Sequence, residues 1–249
     1  MLENFFSWLS SLFNDPSNRK LSNDSSYMAY ASKSVATNTK VNPTNSSMMV
    51  TGHSGNIGNG NWAELLAKKY NMKLTNLAIG GKQTANDLQA VNSYFIMNPT
   101  AKSPAIVFIY SGLNDMWSGK TVAQVAKNQQ AIIDLVRSKG AKRVYLVLGY
   151  DGMKVNRGVP KGGLSRGTTD AMIEDYKKRF ETYQREVPSL IRNATIIPVE
   201  RTIERVKLPN SNSYSKALVV DGLHLSAKGQ SIFANHVDRN AFSTSGVMP

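Results

Sequence analysis

"MMVTGHSGNIGNGNWAELL", residues 48–66, is the stretch whose reading decides the fold. An apolar run through Val50 stops at Gly52, Ser54 follows between two glycines, and a helix-like stretch begins near residue 60. Strand, glycine turn and helix in that order form the opening of a β-α unit. A glycine–serine turn alone signifies only a change of direction, so the meaning of Ser54 depends on what the rest of the chain brings to it.

Outward from this unit, apolar runs alternate with amphipathic segments. Strand-like stretches occupy 47–51, 73–79, 104–111, 142–149 and 194–199, and helical spacing recurs near 60–70, 83–97, 121–139 and 170–187, with a last helix after Ser226. Nearly continuous Val/Ile/Leu strands in βαβα alternation predict an α/β domain with a parallel sheet covered on both faces. Groups that do chemistry then collect beyond the carboxyl ends of the strands. The domain is expected to span 48–240, followed by a tail over 241–249. A Gly- and Lys/Arg-containing insert, 150–169, follows the fourth strand and belongs to the same edge, as a binding loop, a lid or a disordered segment.

Upstream, Leu2, Phe5, Phe6, Leu9, Leu12 and Phe13 fall at helical spacing, which predicts an amphipathic helix over 1–13. Glu3 and the interrupting serines argue against a secretory signal. The stripe either docks on protein, its own domain or a partner, or lies on a membrane surface. Residues 14–47 are rich in Ser and Asn, carry Pro16 and Pro43 and lack periodicity, as a linker or draped arm would. No apolar stretch approaches the ~20 residues of a membrane-spanning helix.

The 249 residues include no cysteine, which excludes disulfides, thiolate metal sites and a cysteine nucleophile. A net charge of +13 attracts polyanions: nucleic acid, anionic lipid or acidic polysaccharide. Basic residues are densest from Arg137 to Arg192, yet no nucleic-acid-binding motif accompanies them, so a solvated basic face is expected there and nucleic acid is disfavoured.

Four short stretches follow strands or close the chain: Gly52-His53-Ser54, Gly80-Gly81, Gly112-Leu113-Asn114-Asp115 and Asp221-Gly222-Leu223-His224. A serine hydroxyl becomes a nucleophile when an imidazole takes its proton and a carboxylate holds that imidazole in one tautomer. Ser54, His224 and Asp221 can supply these roles. Backbone N–H groups at Ser54 and Gly81, with the Asn114 amide, can serve a developing oxyanion, each such donor being worth roughly 3–4 kcal/mol.

Together the blocks resemble the SGNH (GDSL-like) hydrolase family, in which Ser, Gly, Asn and His blocks come in this chain order. "TGHSGNIGNGNWAELLAKKY" is similar to the serine block, "NLAIGGKQT" to the glycine block, "SGLND" to the GxND block and "DGLHLSAKG" to the DxxH block, over about 48–238. The resemblance implies a three-layer α/β/α, flavodoxin-like fold with a five-stranded parallel sheet. It implies a serine ester hydrolase with catalytic Ser54, Asp221 and His224, an oxyanion hole of Ser54, Gly81 and Asn114, and no cofactor. The family's serine usually follows Asp; here it follows His53, which is either a turn-stabilising residue or a second functional imidazole.

Other readings fit less well. An α/β-hydrolase elbow, G-x-S-x-G, fails because Asn56 holds the last position, and "SGKT" (118–121) fails as a phosphate loop because Asn114 stands where a glycine is required. His53, His224 and His236 lack metal-ligand spacing. The basic charge points toward an O-acylated carbohydrate or cell-wall polymer as substrate. The N-terminal stripe points instead toward a lipid esterase at a membrane surface, and His53 leaves room for a non-catalytic carbohydrate-binding module.

Overall fold

The computed structural model describes residues 43–149, 169–199 and 224–242. Strands β1 (Ser47–Gly52), β2 (Lys73–Asn76), β3 (Ile106–Tyr110), β4 (Arg143–Val147) and β5 (Thr195–Ile197) form one sheet in the order β2-β1-β3-β4-β5. Every neighbouring pair is parallel. All five lie where the sequence places them. The central strand β3 is buried along its whole length, which is why its sequence, Ile-Val-Phe-Ile-Tyr, shows no polar alternation.

Among the described residues the α-helices are α1 (Trp62–Lys69), α2 (Thr84–Met97), α3 (Leu113–Trp117), α4 (Val122–Ser138), α5 (Asp170–Leu190) and α6 (Ala227–Ala241). Side chains mark their starts. Asn61 accepts from the Ala63 and Glu64 amides, Thr121 and Gln124 form a capping box, and Ser226 accepts from the Gly229 amide; such caps contribute about 1 kcal/mol each. Helix α5 continues past Pro188 to Leu190, beyond the expected end near 187. Helix α3 is a single short element that periodicity over five residues does not reveal.

Helix α1 packs on α6, while α2 packs on α4 and α4 on α5. The connection β1-α1-β2 runs toward one edge of the sheet and the later connections toward the other. Right-handed crossovers place the two helix groups on opposite faces, which gives three layers. The order reverses between β1 and β3, so the carboxyl ends of these two strands form the crevice where doubly wound folds carry their sites.

Trp62, fully buried, ties one face together through edge contacts to Phe108 at 5.5 Å and Phe233 at 5.7 Å. Its indole N–H donates to Asn56 Oδ1 at 2.8 Å, so the segment after β1 is anchored to the same core.

Residues 43–46 also belong to the packed domain: the Asn45 amide donates to the Tyr70 carbonyl and the Lys73 amide to the Ser46 carbonyl, each at 3.0 Å. At the other end Phe242 packs edge-on against Tyr70 and Phe108. The domain thus takes in residues on either side of the expected 48–240. The expected helix over 1–13, the arm up to residue 42, the insert through 168, Asp221 and the tail from 243 lie outside the described residues.

Candidate active site

Strand β1 ends against Tyr110, its register partner on β3, at Gly52. Gly52 has φ +137°, and a Cβ there would sit 1.8 Å from the Tyr110 carbonyl oxygen. Only glycine lets the chain leave the sheet at this point. A 3-10 turn, Ser54–Asn56, follows, with His53 as its cap: Nδ1 of His53 accepts the Gly55 amide proton at 3.0 Å.

The turn presents Ser54 half-buried at the crevice, and Ser54 Oγ lies 2.8 Å from His224 Nε2 across 170 residues of sequence. His224 stands three residues ahead of α6 and is also half-buried. Hydroxyl and imidazole are therefore at hydrogen-bonding distance and within reach of solvent.

Beyond β2 the chain keeps alongside β1: the Leu77 amide donates to the Val50 carbonyl at 2.8 Å and the Ile79 amide to the Gly52 carbonyl at 2.9 Å. This brings Gly80 and Gly81 to the serine. A Cβ at Gly80 would lie 3.9 Å from the Ser54 Cβ and 3.7 Å from the Ile57 Cδ1. Gly81, exposed, has φ +70° and open space where a side chain would be. Ile57 and Ile79, on either side of this turn, are 45% and 40% exposed.

After β3 the chain turns at Gly112, whose φ is +109° and whose Cβ would be 2.9 Å from the Tyr183 ring. That turn sets Asn114 in the first turn of α3, where its Nδ2 donates to the Lys82 carbonyl at 2.8 Å. A primary amide carries two N–H donors, so one remains after this bond.

His53 is 5% exposed and meets the Tyr110 ring edge-on at 4.3 Å. Burial, and then the nearby His224, push its pKa down to about 3, so it is neutral. With Nδ1 accepting from Gly55, the ring proton sits on Nε2, which is buried with no hydrogen-bond partner among the described residues. Of the two readings open for His53, this geometry matches the turn-stabilising one. His236 Nε2 lies 2.8 Å from the Pro198 carbonyl oxygen.

Two residues that sequence reasoning passed over bind the site's loops together. Asp115 Oδ2 accepts the Thr84 amide proton at 2.9 Å and Oδ1 accepts the Thr84 hydroxyl proton at 2.7 Å. The available signal was the last residue of the GLND block and a threonine opening a helix just after the glycine block.

The profile of the GDSL-like lipase/acylhydrolase family matches residues 42–232, which takes in both ends of the crevice. The chain belongs to this family. It is accordingly a serine carboxylic ester hydrolase of the SGNH type. No curated protein sequence matches it.

Solved structures share the fold at low identity. A mutant of an acetyl-xylooligosaccharide esterase from Geobacillus aligns with a TM-score of 0.54 at 15% identity, over 84% of this chain and 100% of its own. The psychrotrophic esterase EstA from Pseudoalteromonas gives 0.50 at 16%, over 79% and 96%. A member of the lipolytic G-D-S-L family from Veillonella parvula gives 0.50 at 16%, over 77% and 95%.

Proposed function

We propose that this hydrolase removes O-acyl groups, acetyl foremost, from a carbohydrate or cell-wall polymer through a Ser54-His224-Asp221 triad and an acyl-enzyme. The observation that carries the reading is the 2.8 Å approach of Ser54 Oγ to His224 Nε2. With Nε2 unprotonated, the imidazole takes the hydroxyl proton as Oγ attacks the ester carbonyl carbon. The tetrahedral oxyanion receives hydrogen bonds from the Ser54 and Gly81 amides and from the free Asn114 N–H. Collapse expels the sugar alkoxide, which takes the proton from His224. Water then attacks the acyl carbon, giving its proton to His224, and the carboxylic acid leaves as Ser54 regains its proton. Asp221 is assigned the role of holding His224 in the productive tautomer.

Support for the substrate class is the net charge of +13, which favours acidic polymers, and the fold shared with an esterase of acetylated xylooligosaccharides. His53 does not compete as base, since one ring nitrogen is engaged by Gly55 and the other is buried. Ser54→Ala is expected to fold normally and to lose acetate release from acetylated polysaccharide by about 10^4-fold or more. Undiminished release would remove Ser54 from the mechanism.

A second reading, a lipid esterase, is favoured by Ile57 and Ile79, exposed apolar side chains beside the Ser54 turn that suit an acyl chain longer than acetyl. Comparing p-nitrophenyl acetate with the octanoate ester, and acetylated polysaccharide with phospholipid vesicles, separates the two.

A further inference from the structure

Both loops assigned above to the oxyanion lie at the surface of the crevice. Gly81 is exposed with nothing within 4 Å of the position a Cβ would take, and Asn114 is only half-buried. Preorganised donors must nonetheless be held to within a fraction of an ångström, because a displacement of about 1 Å can cost about 100-fold in rate. The structure supplies the restraint one layer further in.

Asp115, 2% exposed, follows Asn114 directly and receives both the amide and the hydroxyl protons of Thr84. Thr84 is fully buried, lies three residues after Gly81 and begins α2. From the other side, the Asn128 amide on α4 donates to Thr84 Oγ1 at 3.1 Å. Asn114 itself returns a bond to the Lys82 carbonyl. The two loops are thus cross-linked through Asn114 to Lys82 and through Asp115 to Thr84, with a further exposed bond from Gln83 to Ser118 at the end of α3.

Asp87 lies three residues beyond Thr84, on the same face of α2. It is fully buried, and neither of its carboxyl oxygens has a hydrogen-bond partner among the described residues. A buried carboxylate without partners is costly, and a neighbouring anion raises the cost.

We propose that Asp115 is a positioning residue of the oxyanion site, pinning the Gly81 loop to the Asn114 turn through Thr84, and that the charge state of Asp87 decides how firmly the pin holds. The proposal rests on the oxyanion assignment above. Burial, followed by the Asp115 charge, pushes Asp87 up to about 8, so at pH 7 it puts no second charge beside Asp115. Burial raises the Asp115 pKa as well, while the bonds from Thr84 and then the Lys120 charge favour its ionised form; Tyr183, whose burial raises its hydroxyl pKa, also faces it. Above about pH 8, Asp87 ionises, repels Asp115 and loosens the pin.

The test is steady-state hydrolysis of p-nitrophenyl acetate by the full chain. Thr84→Val keeps the shape of the side chain and removes the hydroxyl, while Thr84→Ser keeps the hydroxyl. Thr84→Val and Asp115→Asn should lower kcat by about 10- to 100-fold with KM changed less than about threefold, and Thr84→Ser should recover most of it. The native kcat should decline as pH rises through about 8, and Asp87→Asn should lack that decline. If Asp115→Asn does not fold, the Thr84 pair and Asp87→Asn still decide. Wild-type kcat in Thr84→Val, or an alkaline decline that survives in Asp87→Asn, overturns the proposal provided Ser54→Ala is inactive. Activity surviving Ser54→Ala overturns the underlying esterase site instead.

Discussion

The Gly55 amide donates to Nδ1 of His53 at 3.0 Å, which makes the imidazole just ahead of Ser54 a cap for the turn that presents that serine. An acceptor is needed here because the first amides of a 3-10 turn have no partner within it. Asparagine has an acceptor oxygen and some of the ring's bulk; alanine has neither. His53→Ala should therefore lower stability by about 3 kcal/mol, from the lost cap and the vacated space against Tyr110, and His53→Asn by about half as much. Urea denaturation at pH 7 measures both, and equal losses would contradict the cap.

Gly52 offers a harsher substitution. A Cβ would meet main-chain atoms of Tyr110, with the carbonyl oxygen at 1.8 Å, on a residue whose φ is already +137°. Strand backbone in the middle of a sheet cannot step aside, so Gly52→Ala should cost about 4 kcal/mol or more. Gly58 is the control: its φ is +93° but nothing lies within 4 Å of the Cβ position. Gly58→Ala should cost only about 1 kcal/mol, read as a small shift in melting temperature.

Much of this architecture was legible because its cause is local. Strand β3 throughout and β4 from Val144 onward are buried on both faces, and their apolar runs say so. Ser54, Gly81, Asn114 and His224 were legible because each follows a strand end or precedes a helix within a recognisable block. What local pattern could not reveal are contacts between segments far apart in sequence. The bonds from Thr84 to Asp115 span 31 residues, and nothing near either residue announces them. His53 can be read from sequence as a turn-stabilising residue or as a second functional imidazole until Tyr110 and Gly55 are seen to enclose it. Asn114 likewise reads as a free oxyanion donor, whereas half of its amide is committed to Lys82.

Asp238, 3% exposed, joins α6 to α1 by accepting from Lys69 Nζ at 2.7 Å and from the Tyr70 hydroxyl at 2.6 Å. Burial, then the bond to Asp238, raises the Tyr70 pKa, so its hydroxyl stays a donor across the accessible pH range. Asp238→Asn preserves volume, removes the charge and leaves one strong acceptor for two donors. It should lower stability by about 2 kcal/mol, and because the carboxylate is buried the loss should change little between 50 mM and 500 mM salt. Chemical denaturation at the two salt concentrations checks both statements.

Two buried groups give stability an unusual pH profile. His53 moves from 6.5 unfolded to about 3 folded, so the unfolded chain binds the extra proton and this contribution is lost as pH falls from about 6.5 to about 3. Asp87 moves from 3.8 to about 8, so the folded chain binds the extra proton and its contribution is lost as pH rises from about 4 to about 8. Between about pH 4 and 6.5 the two slopes oppose each other, and each is limited to about 1.4 kcal/mol per pH unit. Above about 6.5 the Asp87 slope acts alone. Asp87→Asn should therefore gain stability relative to the native chain progressively from about pH 4 to about pH 8, with no further gain beyond. His53→Asn should fall furthest behind above pH 6.5 and recover relative to the native chain as pH drops toward 3. Unfolding free energies of the three proteins at half-unit pH steps give these differences directly, and two parallel curves would mean that neither group is buried in the charge state assigned to it.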